Sequence, residues 1–358
     1  MTVAAFMDLA LYHPDFGYYA RAARRTGRAG DFFTSVDVGP LFGRLLAIQI
    51  AEMSELLGVE ASSRFDLVEA GAGDGRLAAD ILRPLRSSHP TLCDRLRLHL
   101  VEASAEARAA QPATLDEVAD RLASSSSSLP ESFEGVLVAN ELLDALPVHQ
   151  VVMREDGLRE VYVVPSPRPP ASSPLTTIEG APSTPALSEY LARLGITLEP
   201  GWRAEINLRA VDWISDAARR LRRGFLIVID YGHEARELYS LGHSAGTLTT
   251  FARHVMAGAD SPAWLARPGD QDMTAHVDFT SVRAAAEAEG STTIALLDQT
   301  YFLLGLANLE GDAGLKDRLA LKTLTLPGGL GSTHKVVVLG KGVGAPALRC
   351  CSLGQRLT

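Results

Sequence analysis

A glycine-rich turn preceded by an acidic residue is the part of this sequence best suited to hold a ligand. The turn follows the apolar run 65–68, and Glu69 precedes it. Its glycines are Gly71, Gly73 and Gly75. Glycine lets the backbone approach a ligand closely and adopt a positive φ. Dinucleotide sites use the spacing G-x-G-x-x-G, whereas Arg76 here occupies the place of their third glycine. A carboxylate at Glu69 would repel a pyrophosphate and suits a cationic or zwitterionic ligand.

Polar residues also follow three further apolar runs. Glu102 follows 96–101, and a carboxylate in this place can accept two hydrogen bonds from a ribose diol. The residues after runs 135–139 and 225–229 are Asn140, Glu141, Asp144, Asp230 and Tyr231. Ligands of parallel sheets bind beyond the carboxyl ends of the strands, so we expect these side chains at one edge. Taken singly, each has a simpler interpretation: a tight turn, a solvated carboxylate at Glu102, or a helix cap at Asp144 or Asp230.

Together these residues favour S-adenosylmethionine (SAM) as the ligand. SAM has a sulfonium, an ammonium and a ribose diol but no phosphate, which predicts a methyltransferase. Two other classes stay open: a dinucleotide or nucleoside enzyme of the same sheet type, and a non-catalytic assembly factor that binds SAM or nothing and docks a partner protein. If the acceptor is a guanidinium, we expect Glu141 and Asp144 to hold its charge. Their spacing of three places them on one side if that turn is helical.

Composition excludes several classes of protein. The chain has 358 residues and a formal net charge of −9, which disfavours bulk nucleic-acid binding because such binding neutralises phosphates. Its three cysteines lack a CxxC spacing, which predicts a reducing compartment and no thiolate metal site. The sequence predicts no membrane span and no signal or transit peptide. We therefore expect a cytoplasmic protein that does not bind membranes.

The elements that must position these residues alternate between strands and helices, which predicts an α/β fold with a mostly parallel sheet. A hairpin is expected around the turn at 156–157. Residues 165–185 contain seven prolines and predict a linker or surface loop, 124–128 predict a low-complexity turn, and 236–280 predict irregular structure.

An ordered set of motifs makes the comparison with a known family specific. The chain carries Leu11-Tyr12-His13-Pro14 with Gly17-Tyr18-Tyr19, Gly30-Asp31-Phe32 with Thr34-Ser35, Phe42-Gly43, Glu69-x-Gly71-x-Gly73-x-Gly75, Asn140-Glu141-x-x-Asp144-Ala145-x-Pro147-Val148, Asp230-Tyr231-Gly232 and Pro268-Gly269-x-x-Asp272-x-Thr274-Ala275-His276-Val277-Asp278-Phe279. It resembles the MidA-like family of class I SAM-dependent methyltransferases over roughly residues 6 to 340. That family includes a mitochondrial protein arginine methyltransferase that assists complex I assembly. The chain departs from its pattern at Val36-Asp37, at Leu143 and at Thr249-Thr250, where the family usually has Pro-Glu, Phe and an Arg.

The resemblance implies a Rossmann-like core with a mainly parallel seven-stranded sheet, in which the strand of the last hairpin is antiparallel. We expect an N-terminal helical cap with a lid loop at 1–60, the SAM-binding core at 61–345 and a tail at 346–358. Insertions at about 150–205 and 236–280 would form the substrate side. A small-molecule acceptor remains the alternative to a protein arginine, and the oligomeric state stays open.

The expected site follows from the strand ends and from this resemblance. The expected cofactor-binding residues are Gly30, Asp31, Thr34, Ser35, Glu69, Gly71, Gly73, Gly75, Glu102 and Asn140, with 30–35 closing over SAM as a lid. The expected catalytic residues are Glu141, Asp144, Asp230, Tyr231, Asp272 and His276. Asp272, Thr274, His276 and Asp278 alternate along the chain, so an extended segment would carry all four on one face. They could ligate a metal or lie on the solvent-facing edge of a strand. We expect that they form a wall of the active site and that no metal is bound. His233, His243 and His254 are expected to be scattered, each being structural or exposed.

Overall fold

The computed structural model describes residues 1–22, 34–58, 64–167, 174–252, 255–257, 262–307, 314–327 and 329–353. The chain divides into two compact units. Unit 1 comprises residues 1–32, 143–213 and 232–282, and unit 2 comprises 33–142, 214–231 and 283–358. Both insertions expected from the sequence fall in unit 1, while the domain boundaries at 60 and 345 remain a prediction.

The strands are given in chain order. They are β1 (Phe65–Ala70), β2 (Leu96–Val101), β3 (Leu122–Ser126), β4 (Phe133–Asn140), β5 (His149–Arg154), β6 (Gly157–Pro165), β7 (Leu175–Gly180), β8 (Arg203–Ile206), β9 (Leu221–His233), β10 (Thr249–Ala252), β11 (Val255–Ala257), β12 (Asp272–Thr274), β13 (Val277–Asp278), β14 (Thr292–Asp298) and β15 (His334–Lys341).

The helices are given in the same way. They are α1 (Val3–Tyr12), α2 (Tyr18–Ala22), α3 (Leu41–Leu56), α4 (Arg76–Ser88), α5 (Pro90–Arg95), α6 (Ala105–Leu115), α7 (Ala186–Leu194), α8 (Leu208–Arg220), α9 (Ala235–Leu238), α10 (Phe279–Ala288), α11 (Gln299–Leu306), α12 (Leu315–Thr325) and α13 (Leu330–Thr333). Short 3-10 turns occupy Ser35–Val38, Asp116–Arg121, Leu241–His243, Pro262–Leu265 and Arg349–Cys351. No helix of the described residues is both long enough and apolar enough to cross a membrane.

Unit 2 is built on a sheet with the strand order β14-β15-β9-β4-β1-β2-β3. β15 runs antiparallel to both of its neighbours, and the other pairings along this order are parallel. The predicted mainly parallel sheet with one antiparallel hairpin strand is therefore confirmed, and the short β13, which pairs with the end of β9, adds an eighth strand to the seven expected. From β1 the chain extends the sheet outward through β2 and β3 and then returns to the other side of β1 as β4. The topological switch point, where such sheets bind ligands, lies between β1 and β4.

The central strands form because their side chains are buried on both faces. Every residue of β1 is buried, and β4 and β9 carry long runs of buried residues. Continuous apolar runs of this kind are typical of parallel strands covered on both faces. The same core includes Phe42 and Leu46 of α3 with Leu82 of α4, all fully buried. These helices support the strand from which the glycine turn leaves.

Unit 1 holds two smaller sheets. One has the antiparallel order β7-β6-β5-β8, and the other has the order β11-β10-β12. α1 begins at an N-cap, Thr2, whose hydroxyl accepts from the amide of Ala5 at 3.1 Å. The apolar residues of α1 pack with those of β5 and β6, among them Met7 and Val161.

The segment 236–280, expected to be irregular, contains the short strands β10, β11, β12 and β13. Two further sequence expectations about loops are wrong. Part of the expected linker forms β7, which pairs with β6 over its whole length. The expected turn at 124–128 is largely β3, which pairs with β2. Each is the outer strand of its sheet, where backbone hydrogen bonds to one neighbour suffice and little apolar surface is buried. The periodic hydrophobic signal that reveals inner strands is therefore weak here.

Candidate functional site

The glycine turn of unit 2 has the backbone that its spacing predicts. The φ angles of Gly71, Gly73 and Gly75 are +73°, +52° and +88°, a region that side chains with a Cβ rarely adopt. A Cβ built on Gly71 would lie 3.2 Å from Cδ1 of Leu142, in the loop after β4. A Cβ built on Gly73 would meet no atom within 4 Å among the described residues. Gly73 therefore faces open space at the switch point.

Two residues of unit 2 hold the glycine turn through hydrogen bonds: Glu102, which follows β2, and Gln111 of α6. The amide of Gly73 donates to Oε2 of Glu102 at 2.9 Å, and its carbonyl accepts from Nε2 of Gln111 at 2.9 Å. Ser125 of β3 donates to Oε1 of Gln111 at 2.6 Å. The amide of Ser104 donates to Oε1 of Glu102 at 2.8 Å. Both oxygens of the half-buried Glu102 are thus oriented by backbone donors and keep lone pairs for further hydrogen bonds.

Glu69 is a buried carboxyl group close to the end of β1. It is 5% exposed, and its Oε2 has no hydrogen-bond partner among the described residues. Burial raises the pKa of Glu69 from its ordinary value of 4.5 to about 8, although the backbone of Ala78 opposes the shift with a hydrogen bond. A cation bound near this group would favour its ionised form.

Asn140 and Glu141 end β4 beside the glycine turn. Glu141 has a φ of +50°, which is uncommon for a residue with a long side chain. Its Oε1 accepts from the amide of Ser35 and from Nδ2 of Asn140, both at 3.3 Å, and lies 3.7 Å from Nε2 of His334. Oε2 of Glu141 and Oδ1 of Asn140 are buried and lack a hydrogen-bond partner among the described residues. Strained backbone joined to orphaned acceptors is typical of a ligand site.

Asp230 holds the backbone of this loop. Its side chain is fully buried, with Oδ2 accepting from the amide of Leu142 at 3.2 Å and Oδ1 from the amide of Tyr231 at 2.9 Å. The ring of Tyr231 packs edge-on against His334, with ring centroids 5.6 Å apart. Asp230 thus fixes the backbone of the loop after β4 through its hydrogen bond to Leu142.

The predicted lid is described only in part. Gly30 and Asp31 lie outside the described residues. Thr34 forms a capping box with Asp37, whose Oδ2 accepts from the amide and the hydroxyl of Thr34. Ser35 is fully buried, and its hydroxyl donates to Oε1 of Gln299 at 3.1 Å. The contact that Ser35 makes with the site is therefore the backbone hydrogen bond to Glu141.

Two predicted catalytic residues of unit 1, Asp144 and Asp272, lie near a tyrosine that the sequence prediction gave no role. The Tyr19 hydroxyl donates to Oδ1 of Asp272 at 3.0 Å. Burial, and then the charges of Asp272 and Asp144, hold the pKa of Tyr19 well above its usual value. The carbonyl of Asp144 accepts from the amide of Ala275 at 3.1 Å. Tyr19 belongs to the Gly17-Tyr18-Tyr19 motif, and this motif was the sequence feature that could have indicated a role for it.

The turn from Glu141 to Asp144 is not helical, so the condition under which their spacing would place both side chains on one side is not met. Residues 141–148 form bends and turns, because the positive φ of Glu141 ends the strand abruptly. No helix begins at Asp144 either, so the helix-cap interpretation of this residue does not hold.

His276, also in unit 1, lies with His233 and His243. The ring centroids of His233 and His243 are 4.7 Å apart, and His276 is 5.4 Å and 5.7 Å from them. Burial and then the two neighbouring imidazoles lower the pKa of His276 to about 4. The expectation that His233 and His243 are scattered is therefore wrong, and His254 lies outside the described residues.

Comparison with known proteins agrees with this geometry. The profile of the family "Putative S-adenosyl-L-methionine-dependent methyltransferase" matches residues 45–296. The chain is 30% identical to the mitochondrial protein arginine methyltransferase NDUFAF7 of Rattus norvegicus, over 88% of this chain and 72% of that protein. The mitochondrial homologue of NDUFAF7 in Drosophila melanogaster is 29% identical, over 95% of this chain and 82% of its own.

A solved structure is similar over nearly the whole chain. A COG1565 superfamily protein from Burkholderia thailandensis, crystallised with S-adenosyl-homocysteine, superposes with a TM-score of 0.86 at 30% identity. The alignment covers 98% of this chain and 90% of the crystallised one. The chain belongs to this family of SAM-dependent methyltransferases, and its cofactor is SAM.

Proposed function

We propose that this methyltransferase acts on an arginine side chain of a partner protein. Support comes from relatives named as protein arginine methyltransferases and from the acidic character of the site. A guanidinium is always charged in proteins and pairs with carboxylates through two parallel hydrogen bonds. An acceptor of this kind needs a buried carboxylate that is held in place and still has an open oxygen.

The single observation that carries this proposal is the geometry of Glu141. Ser35 and Asn140 fix one carboxylate oxygen, while the other is buried without a partner among the described residues. Such an oxygen can hold the guanidinium charge and orient one nitrogen. Catalysis then rests mainly on orientation and on the exclusion of water.

The glycine turn and its neighbours fit the cofactor. We infer that Glu102 accepts hydrogen bonds from the ribose hydroxyls, because both its oxygens are already oriented by backbone donors. Gly71 and Gly73 let the backbone approach the ligand, and the orphaned oxygens of Glu69 and Asn140 suit its positive groups. SAM supplies a methyl group activated by its attachment to a positively charged sulfur.

Radiolabelling tests the acceptor. Purified protein is incubated with tritiated SAM and a lysate of the expression host, and labelled polypeptides are hydrolysed to amino acids. We expect labelled methylarginine. Label on another amino acid or only on a small molecule would reject the arginine assignment, and absence of transfer despite S-adenosyl-homocysteine binding would favour a docking factor.

We also propose a reducing compartment, with the cytoplasm as the place of action. The thiols of Cys350 and Cys351 are buried, with their sulfurs 3.6 Å apart, and Cys93 is buried as well. Such cysteines suit a compartment that keeps thiols reduced. The relatives named above are described as mitochondrial, so imaging of the tagged protein in its own cells distinguishes the two places.

A further inference from the structure

We propose that His233, His243 and His276 form a binding site for a divalent transition-metal cation of the zinc type. One ring nitrogen from each lies within 4.8 Å of the others. Two nitrogens bound to one tetrahedral Zn²⁺ are about 3.3 Å apart, so side-chain rotations that bring them closer by up to about 1.5 Å complete the set. Three imidazoles leave a fourth position for water or a ligand.

Two of the histidines lie close to oxygen atoms of Glu237, and the contact of His243 is a hydrogen bond. Nδ1 of His233 lies 3.0 Å from Oε1 of Glu237, and Nδ1 of His243 lies 3.0 Å from the carbonyl oxygen of Glu237. Metal-bound histidines typically donate their second ring N–H to such an oxygen, which fixes the tautomer and the ring orientation. Glu237 of α9 therefore lies beside one ring nitrogen of each of these two histidines.

The backbone around the histidines is held by close packing. Gly232 and His233 pair with Val277 and Asp278 of β13 in parallel register. A Cβ at position 232 would lie 2.1 Å from the carbonyl oxygen of Val277, so only glycine allows this approach. The pairing brings the segment that carries His276 beside His233.

The third ligand loop is also anchored. The amide of His276 donates to the hydroxyl oxygen of Thr247 at 3.1 Å, and the Thr247 hydroxyl donates to the buried carboxylate of Glu205 at 3.1 Å. The carbonyl of His243 accepts from the amide of Gly246 at 2.8 Å. A fixed backbone with three convergent imidazoles is the preorganisation that a metal site requires.

This assignment differs from both sequence expectations, in which His276 was a catalytic residue and the protein had no metal site. The metal interpretation weighed for residues 272–278 used a different donor set. In the structure, Asp272 accepts from Tyr19 and Asp278 accepts from Tyr190 at 2.7 Å, so neither joins the histidine cluster.

Cobalt titration tests the site independently of methyl transfer. Chelator-treated protein is titrated with Co²⁺, whose visible absorption reports coordination by nitrogen, and Zn²⁺ is then added as a competitor. We expect one Co²⁺ per chain, displaced by Zn²⁺. His243 is half-buried in a short 3-10 turn. His243→Ala should lower the affinity at least about a hundredfold, and Glu237→Gln should lower it about 10- to 100-fold.

His89→Asn is the matched control, because it removes a histidine of unit 2 at the start of α5. It should keep the affinity of the unchanged protein, and circular dichroism checks the fold of each variant. A missing cobalt band in the unchanged protein, or an equal band in His243→Ala, would overturn the proposal. Failure to methylate arginine would leave it standing.

Discussion

The amide N–H of Gly73 donates to Oε2 of Glu102 at 2.9 Å, which joins the glycine turn to the end of the neighbouring strand. Oε1 of Glu102 accepts from the amide of Ser104, so both carboxylate oxygens face backbone N–H donors. In Glu102→Gln the side-chain NH₂ group would therefore face one of these N–H groups and could not accept its hydrogen bond. We therefore expect Glu102→Gln to bind S-adenosyl-homocysteine as poorly as Glu102→Ala. Each should lose about 1.5–3 kcal/mol, or roughly 10- to 150-fold, in calorimetric titration.

Glu106→Gln is the control for this measurement, since it removes an exposed carboxylate from the first turn of α6. Its affinity should equal that of the unchanged protein. Full binding by Glu102→Gln would show that the Glu102 carboxylate is not needed to hold the cofactor.

Gly73→Ala should separate backbone strain from ligand contact. Gly58 has a φ of +58°, close to the +52° of Gly73, and a Cβ at either position meets no atom within 4 Å among the described residues. Both alanine variants should lose stability by a similar amount, about 1–2 kcal/mol, because both place a Cβ in the left-handed region. Only Gly73→Ala should also lose cofactor affinity. Equal affinities in the two variants would place the cofactor elsewhere.

Glu69 should make the protein less stable as the pH rises. Its folded pKa of about 8 exceeds the ordinary value of 4.5, so the folded state holds its proton more tightly. The free energy of unfolding should therefore fall between pH 4.5 and 8 and then level off, with up to about 5 kcal/mol lost. Glu69→Gln removes this term, so its stability relative to the unchanged protein should improve steadily across that range.

Urea unfolding of both proteins at pH 5, 7 and 9 measures this difference. A constant difference in free energy would show that Glu69 titrates normally. SAM affinity provides a second readout, because a cationic ligand that favours ionised Glu69 should bind more tightly as the pH approaches 8.

Glu141→Gln should lower methyl transfer about a hundredfold while leaving S-adenosyl-homocysteine affinity nearly unchanged. The substitution keeps the shape and removes the charge, and a charge-assisted contact is worth up to ~3 kcal/mol. Glu134→Gln is the matched control, since Glu134 lies near the opposite end of β4 and its side chain is 34% exposed. Unchanged transfer in Glu141→Gln would remove this carboxylate from the acceptor site.

The inner sheet could be predicted from the sequence because its strands are continuous apolar runs. β1, β4 and β9 were each recognised in this way, and β2 was recognised from leucines that alternate with Arg97 and His99. Glu102 follows β2 and Asn140 ends β4 as expected, whereas Asp230 and Tyr231 lie inside β9, which continues to His233. β3 was missed because it is serine-rich and only partly buried, so its place depends on backbone pairing with β2.

The details of the sites were less accessible. No sequence pattern predicts the positive φ of Glu141, because this angle depends on the direction in which the chain leaves β4. The histidine cluster joins residues 10 and 33 positions apart, and it depends on the pairing of β13 with β9. Contacts of this kind arise from tertiary packing, which local propensity does not encode.

The positions of the serine run 124–128 should differ in how well they tolerate mutation, although the composition of the run is of low complexity. Ser125 reaches the carbonyl of Gly73 through Gln111, and Ser124 lies 2.8 Å from Nδ1 of His99. Ser125 and Ser127 are both exposed, but the hydroxyl of Ser125 is bonded to Gln111. In a library selected for activity, positions 125 and 111 should therefore change together, while position 127 drifts freely. Substitutions in β3, at the edge of the sheet, could therefore alter the position of the glycine turn during evolution.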